Sequence, residues 1–313
     1  MAVGTDSKVR ERILVTGGTG QVGSELVKAL ALLGDVVAPG RHEMDLANAE
    51  SVRAAIRAVQ PRWIVNPAAY TAVDKAESEP ELAFAINAEA VRVIGEEALR
   101  IGAGVIHFST DYVFEGTGSA PHVETDAAAP VSVYGASKLA GERALAECGA
   151  AHMIFRTSWV YGARGRNFLL TILKLARDRE SLRIVADQHG APTWSRDLAG
   201  MTAHVIRQCE NGSARDRKQS LEVFAALGGV YHAAGSGETT WHEFAVEALR
   251  LQKEWEPAQR FAEIEAISTA EYPTPAPRPA NSRLDCGKLK ERLGWQMVDW
   301  HESLRKVLAE MAR

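Results

Sequence analysis

Seven residues constrain the fold of this chain more than any others. Gly17-Gly18-Thr19-Gly20-Gln21-Val22-Gly23 follows directly on the apolar run Ile13-Leu14-Val15. It leads into a stretch with apolar residues at helical spacing, Val22, Leu26, Val27, Leu30 and Leu33, which Gly34 stops. The glycines at 17, 20 and 23 form G-x-x-G-x-x-G. A strand that feeds a helix through such a turn offers bare backbone and free helix N–H groups to a pyrophosphate, where a side chain would hold the ligand away. Gly23 would let the helix pack close to its strand. A glycine pattern alone says little; its place between a first strand and a first helix gives it weight.

The alternation continues. Val36-Val37-Ala38, Trp63-Ile64-Val65, Val105-Ile106-His107-Phe108 and Met153-Ile154-Phe155 are apolar runs of strand length. Helical patterns separate them at 49–59, 81–101 and 133–147. This order predicts an α/β fold: a Rossmann-type doubly wound parallel sheet with right-handed crossovers. After Thr157 the rhythm loosens. Helices are expected at 168–177 and 195–210, a short apolar run at 182–185, and one more sheet strand at 230–233. Thr240 with Glu243, and Asp299 with Glu302, are capping-box arrangements that open two later helices. Tyr272–Pro279 holds four prolines and must be extended. The polar stretch 211–220 reads as a surface loop, longer than usual if it runs to Leu227. The chain thus divides into a dinucleotide-binding domain at 12–165, rejoined by a strand near 229–234, and a smaller C-terminal substrate lobe at 166–228 and 235–313.

Ligands of such sheets sit beyond the C-terminal strand ends. That places Asp45-Leu46 and Pro67-Ala68-Ala69-Tyr70 near a bound dinucleotide. After the second strand comes Pro39-Gly40-Arg41-His42, with an arginine and no acid, which favours the 2′-phosphate of NADPH over NADH without excluding the latter. The fourth strand runs into Ser109-Thr110-Asp111, so the Thr110 hydroxyl would reach a substrate oxygen. Tyr134 and Lys138 stand four apart on a helix and share a face. A nearby ammonium favours a phenolate, and lowering a tyrosine from about 10 by two or three units asks for roughly 3–4 kcal/mol. Of the six tyrosines, only Tyr134 has a lysine four residues on. Thr110, Tyr134 and Lys138 are therefore the expected catalytic set, with Tyr134 the proton donor.

Composition excludes other classes. With 46% hydrophobic and 24% charged residues, 313 residues can bury a sizeable core. A net charge of −4 gives no electrostatic case for nucleic acid or an anionic membrane as partner. Residues 1–11 are polar and look like a loose leader, and no run approaches the roughly 18 apolar residues of a membrane helix. The three cysteines are scattered, which suits a reducing, cytoplasmic setting. The histidines form no H-x-x-x-H pair on a credible helix face, so no metal ligand set is expected. Asn66 and Asn87 are read as structural braces. Trp63, Trp194, Trp241, Trp295 and Trp300 are read as packing residues.

These motifs, with Thr71–Glu77, Ser109–Phe114, Lys138–Glu142, Arg156–Tyr161, Gly190–Thr193, Thr239–His242 and Tyr272–Leu284, resemble the dTDP-4-dehydrorhamnose reductases among the extended short-chain dehydrogenase/reductases. The likeness runs from about Ile13 to the C-terminus. It implies reduction of the 4-keto group of a nucleotide sugar, dTDP-4-dehydro-L-rhamnose, by NAD(P)H. It also implies that Gly20, Gln21 and Val22 meet the pyrophosphate, that Lys138 anchors the nicotinamide ribose, that Asp111 and Trp159 hold the sugar, and that Arg283 lies near the nucleotide. It allows a homodimer, and magnesium between subunits, though no cluster here demands the metal. Epimerases and dehydratases share the scaffold, but dehydratases pair the strand-end threonine with Asp-Glu, where this chain has Asp111-Tyr112. The regulatory subunit of methionine adenosyltransferase is also similar; the complete Thr110, Tyr134 and Lys138 set weighs against that alternative.

Overall fold

The computed structural model describes residues 10–210 and 216–312. The chain opens with β1 (Arg12–Val15), α1 (Gln21–Leu30), β2 (Asp35–Val37), α2 (Ala49–Val59) and β3 (Trp63–Asn66). Next come α3 (Val73–Ala76), α4 (Pro80–Phe84), a π-helical turn at Ala85–Glu89, α5 (Ala90–Ile101) and β4 (Gly104–Thr110). A short 3-10 turn at Asp111–Val113, α6 (Val133–Glu147) and β5 (His152–Thr157) follow. The remainder holds β6 (Val160–Tyr161), α7 (Phe168–Asp178), β7 (Ser181–Val185), β8 (His189–Gly190), β9 (Thr193–Trp194) and α8 (Ser195–Glu210). It continues through α9 (Arg217–Ala226), β10 (Gly229–His232), β11 (Thr239–Thr240), α10 (Trp241–Trp255), β12 (Glu263–Ile267), α11 (Gly287–Leu293) and α12 (Trp300–Met311).

Six strands form one parallel sheet in the order β10-β5-β4-β3-β1-β2. Both faces are covered, which is why its strands read as nearly unbroken apolar runs. On one face Leu26 and Leu30 of α1, Leu198 and Met201 of α8 and Phe224 of α9 pack onto the sheet. On the other lie Val52 and Ile56 of α2, Ile94 of α5 and Leu145 of α6. A further core joins α7, α10 and α12 around Leu169, Ile172, Trp194, Phe244 and Leu304. The chain runs from β1 outward to β2, then crosses back past β1 to β3. This reversal leaves a crevice beyond the C-terminal ends of β1 and β3, the natural seat for a dinucleotide.

Two expectations are corrected. The stretch expected to be a polar loop is helical from Arg217 onward; residues 211–215 lie outside the described residues. Asp216 caps this helix by accepting the Gln219 N–H at 2.9 Å, and buried Phe224 meets Trp63 edge-on at 5.0 Å. The polar residues cover its outer face, and their composition hid the apolar anchors. The long helix expected over 81–101 is broken by the π-helical turn, which carries Asn87. Among the described residues, no helix is long and apolar enough to cross a membrane.

Candidate active site

A cleft of about 740 Å³ opens at the C-terminal edge of the sheet. One wall is the glycine loop, with Gly17, Gly20, Gln21, Val22 and Gly23; beside it lie Pro67, Ala68 and Ala69 after β3. The loop is tight. A Cβ on Gly23 would come within 2.0 Å of Gly17 O, so only glycine allows α1 to start this close to β1. The opposite wall carries Thr110, Asp111, Tyr134, Lys138 and Trp159. Twelve expected residues thus meet in one space.

Five do not line it. Arg41 is largely exposed, its Nε 3.7 Å from Asp45 Oδ1. Asp45 also accepts the Ala47 N–H, so both shape the turn after β2. Leu46 packs against the core beneath α2. Tyr70 turns its phenol away to donate to Glu79 at 2.7 Å. Arg283 pairs with Glu238 and donates to Ser119 O, 2.7 Å away, tying down a surface loop.

Local structure explains the positions of the central groups. Ser132 caps α6 by accepting the Gly135 N–H, which starts the helix just before Tyr134. Tyr112 meets Tyr134 edge-on at 5.6 Å. Thr110 ends β4; its hydroxyl accepts the Tyr112 N–H and donates to Asp111 Oδ1 at 2.9 Å. Asp111 is 3% exposed, and its Oδ2 lacks a hydrogen-bond partner. Burial pushes this carboxyl up to about 6, against the pull of the Ser282 and Thr110 hydroxyls. Trp159 has a left-handed backbone, with φ +47°, unusual for so bulky a residue, and stacks on Trp241 at 3.6 Å.

The Tyr134–Lys138 pair departs from expectation. Lys138 is 2% exposed and donates to Phe108 O at 2.7 Å; its Nζ also lies 3.2 Å from His107 Nε2. Burial pushes the lysine down to about 8, while the charge of Glu142 works the other way. Burial pushes the Tyr134 phenol up to about 12, with Thr110 as the opposing influence. The expected lowering of the tyrosine by Lys138 is absent: the ammonium faces β4 rather than the phenol, and desolvation dominates.

Some cleft residues escaped the sequence. Ser109 Oγ and Thr157 Oγ1 are buried there without hydrogen-bond partners, as expected of a site built to receive a polar ligand. Trp241, expected to be packing, also forms wall. A second cavity of about 730 Å³ shares Tyr112 and Trp241 with the cleft and is lined by Arg179, Arg183, Arg278 and Tyr272. Arg278 pairs with Asp74 at 2.8 Å. The proline-rich stretch that contains Arg278 was visible in the sequence, but nothing there singled out Arg278 over Arg283. Asn66 and Asn87 are hydrogen-bonded braces: Asn66 to Thr16 and His107, Asn87 to Tyr70 and Ser137. Among the described residues no group of three or more His, Cys, Asp or Glu side chains could hold a metal ion.

Comparison with known proteins shows the family. The family model described as the RmlD substrate binding domain matches residues 11–313. A dTDP-4-dehydrorhamnose reductase of Burkholderia thailandensis is 47% identical over 92% of this chain and 95% of its own length. One from Escherichia coli K12 is 46% identical over 96% and 97%. The crystal structure of the Bacillus anthracis dTDP-4-dehydrorhamnose reductase in complex with NADP superposes with a TM-score of 0.84 at 33% identity, covering 96% of this chain and 99% of that one. With a family model over nearly the whole chain and relatives 46–47% identical along almost all of it, this chain belongs to the dTDP-4-dehydrorhamnose reductase (RmlD) family of extended short-chain dehydrogenase/reductases.

Proposed function

We infer that this protein reduces the 4-keto group of dTDP-4-dehydro-L-rhamnose to give dTDP-L-rhamnose, with NADPH as the hydride source. The observation that carries this is the single cleft in which a pyrophosphate-ready glycine loop faces Thr110, Tyr134 and Lys138. The glycine loop, Ala68 and Ala69 would hold the dinucleotide, and the unpartnered Ser109 and Thr157 hydroxyls suit its polar groups. When bound, the nicotinamide supplies the hydride.

The chain's own groups do the rest. A phenol pushed up to about 12 keeps its proton at neutral pH, so Tyr134 acts as an acid rather than a base. It donates only when the substrate oxygen gains alkoxide character, which exceeds phenolate in basicity. Lys138, mostly charged below its value of about 8, offsets the phenolate left behind. Thr110 orients the same oxygen, and Asp111 and the Trp159–Trp241 stack hold the sugar. The adjoining cavity, with Arg179, Arg183 and Arg278 on its walls, suits the nucleoside diphosphate.

The test is oxidation of NADPH, followed by absorbance, in the presence of dTDP-4-dehydro-L-rhamnose. Wild type turns over. Tyr134→Phe loses about 10²–10⁴-fold in kcat while still binding NADPH. A wild-type protein that binds NADPH yet leaves the keto sugar untouched ends the proposal.

A further inference from the structure

Beneath the cleft runs a buried chain of polar groups that joins three strands to α6. Thr16, just after β1, donates to Asn66 Oδ1 at 2.6 Å and accepts the Ala68 N–H at 3.3 Å. Asn66, at the end of β3, lies 3.0 Å from His107 Nδ1. His107, on β4, lies 3.2 Å from Lys138 Nζ, which also donates to Phe108 O. All four side chains are buried. The expected catalytic set accounts for Lys138 alone.

A buried imidazole beside an ammonium stays neutral; burial first, then the charge of Lys138, pushes His107 well below its usual value. A neutral ring carries one proton. If Asn66 Nδ2 donates to Nδ1, the ring proton sits on Nε2 and meets a neutral lysine. If the amide is turned over, its oxygen accepts from Nδ1–H, and Nε2 accepts from the ammonium. The charged lysine that the reduction needs selects the second arrangement, in which the Asn66 oxygen faces the ring and its amide nitrogen faces Thr16. The lysine's charge is thus tied to the tautomer of one histidine.

We propose that His107 is a positioning residue for the reduction: braced by Asn66, its imidazole holds Lys138 against β4 and fixes the charge that the lysine presents to the cleft. The proposal rests on the reductase reading. Glu142 acts on Lys138 and His152 on His107 through their charge, and further charged or titratable groups lie on the same elements. Tyr134 and Glu142 share α6 with the lysine, Asp111 follows β4, and His152 and Arg156 come from β5. Glu142 is held by Arg156 in a buried ion pair at 2.7 Å. Lys138 titrates well before Tyr134, so it governs the alkaline limb of kcat.

The experiment compares wild type with His107→Leu, His107→Asn and His107→Gln. Each is measured for kcat and KM against pH, and for NADPH affinity against pH by tryptophan quenching. Without an acceptor at Nε2 the ammonium is harder to keep. In the Leu and Asn variants the alkaline limb should move down by about one pH unit, with about fivefold less activity at pH 8. Gln, long enough to accept from Nζ, should recover most of the loss. A structural role alone would lower kcat at every pH and leave the limb in place. That result, or Gln failing as Leu does, overturns the proposal. If Leu does not fold, the Asn and Gln pair decides. If wild type does not reduce the keto sugar, the function fails separately, and the pH dependence of NADPH binding still tests His107.

Discussion

Asp111 is buried with one oxygen unpaired, a costly arrangement that a fold-stabilising residue would not keep. Its folded-state value of about 6 exceeds the ordinary 3.8. Between those values the folded chain binds the proton more tightly than the unfolded chain, so stability falls as pH rises through the window. Two units correspond to about 3 kcal/mol at most. Asp111→Asn should therefore raise stability at pH 7 by about 1–3 kcal/mol and flatten its dependence between pH 4 and 6, while impairing reduction. Urea midpoints at both pH values check this; a variant no more stable at pH 7 refutes it. Arg41 presents the opposite case, a side chain 80% exposed with only a loose tie to Asp45. An exposed charge of this kind is worth about 1 kcal/mol and is screened by salt. Arg41→Ala should raise KM for NADPH about fivefold and leave KM for NADH unchanged. An unaltered ratio of the two would place recognition of the 2′-phosphate elsewhere.

At the scale of elements, α6 is what brings the phenol and the amine to the cleft, and its position depends on close backbone approach. A Cβ on Gly141 would lie 2.0 Å from Asn87 O in the π-helical turn. An alanine in a free helix stabilises by about 1 kcal/mol over glycine. Here the clash reverses the sign, and Gly141→Ala should cost about 1–3 kcal/mol net, with kcat lowered as α6 shifts. Denaturant unfolding with parallel kinetics checks it, and a stabilised variant would mean that the turn yields freely. The same turn shows where periodicity falls short. A period of 3.6 cannot reveal one extra residue inside a helix, because the apolar positions before and after it still look helical. α9 was hidden for another reason: its outer face is polar, and its anchor, Phe224, matters only because Trp63 meets it on the same face of the sheet.

For the whole molecule, the sheet order places every functional loop on one edge, and this was legible in advance. Strict strand–helix alternation leaves few topologies, and right-handed crossovers select among them. The strand at Gly229–His232, which rejoins the sheet beside β5, could be anticipated from its apolar run. Not legible were β12, whose Glu263-Ile264-Glu265 run alternates with charge, and the pairing of β12 with β7 that frames the second cavity. Arg278, rather than Arg283, lines that cavity because of how the proline-rich segment lies, and proline spacing does not encode this.

Local spacing by itself determined the glycine turn, the strand-end Thr110 and the shared face of Tyr134 and Lys138, since each depends on residues a few positions apart. Only the tertiary structure decided that Lys138 meets His107, that Trp159 is twisted onto Trp241, and that Asp111 is sealed with an oxygen to spare. Those contacts join distant parts of the chain, and their energies arise from desolvation, which exists only once the sheet and its two layers of helices have closed around them.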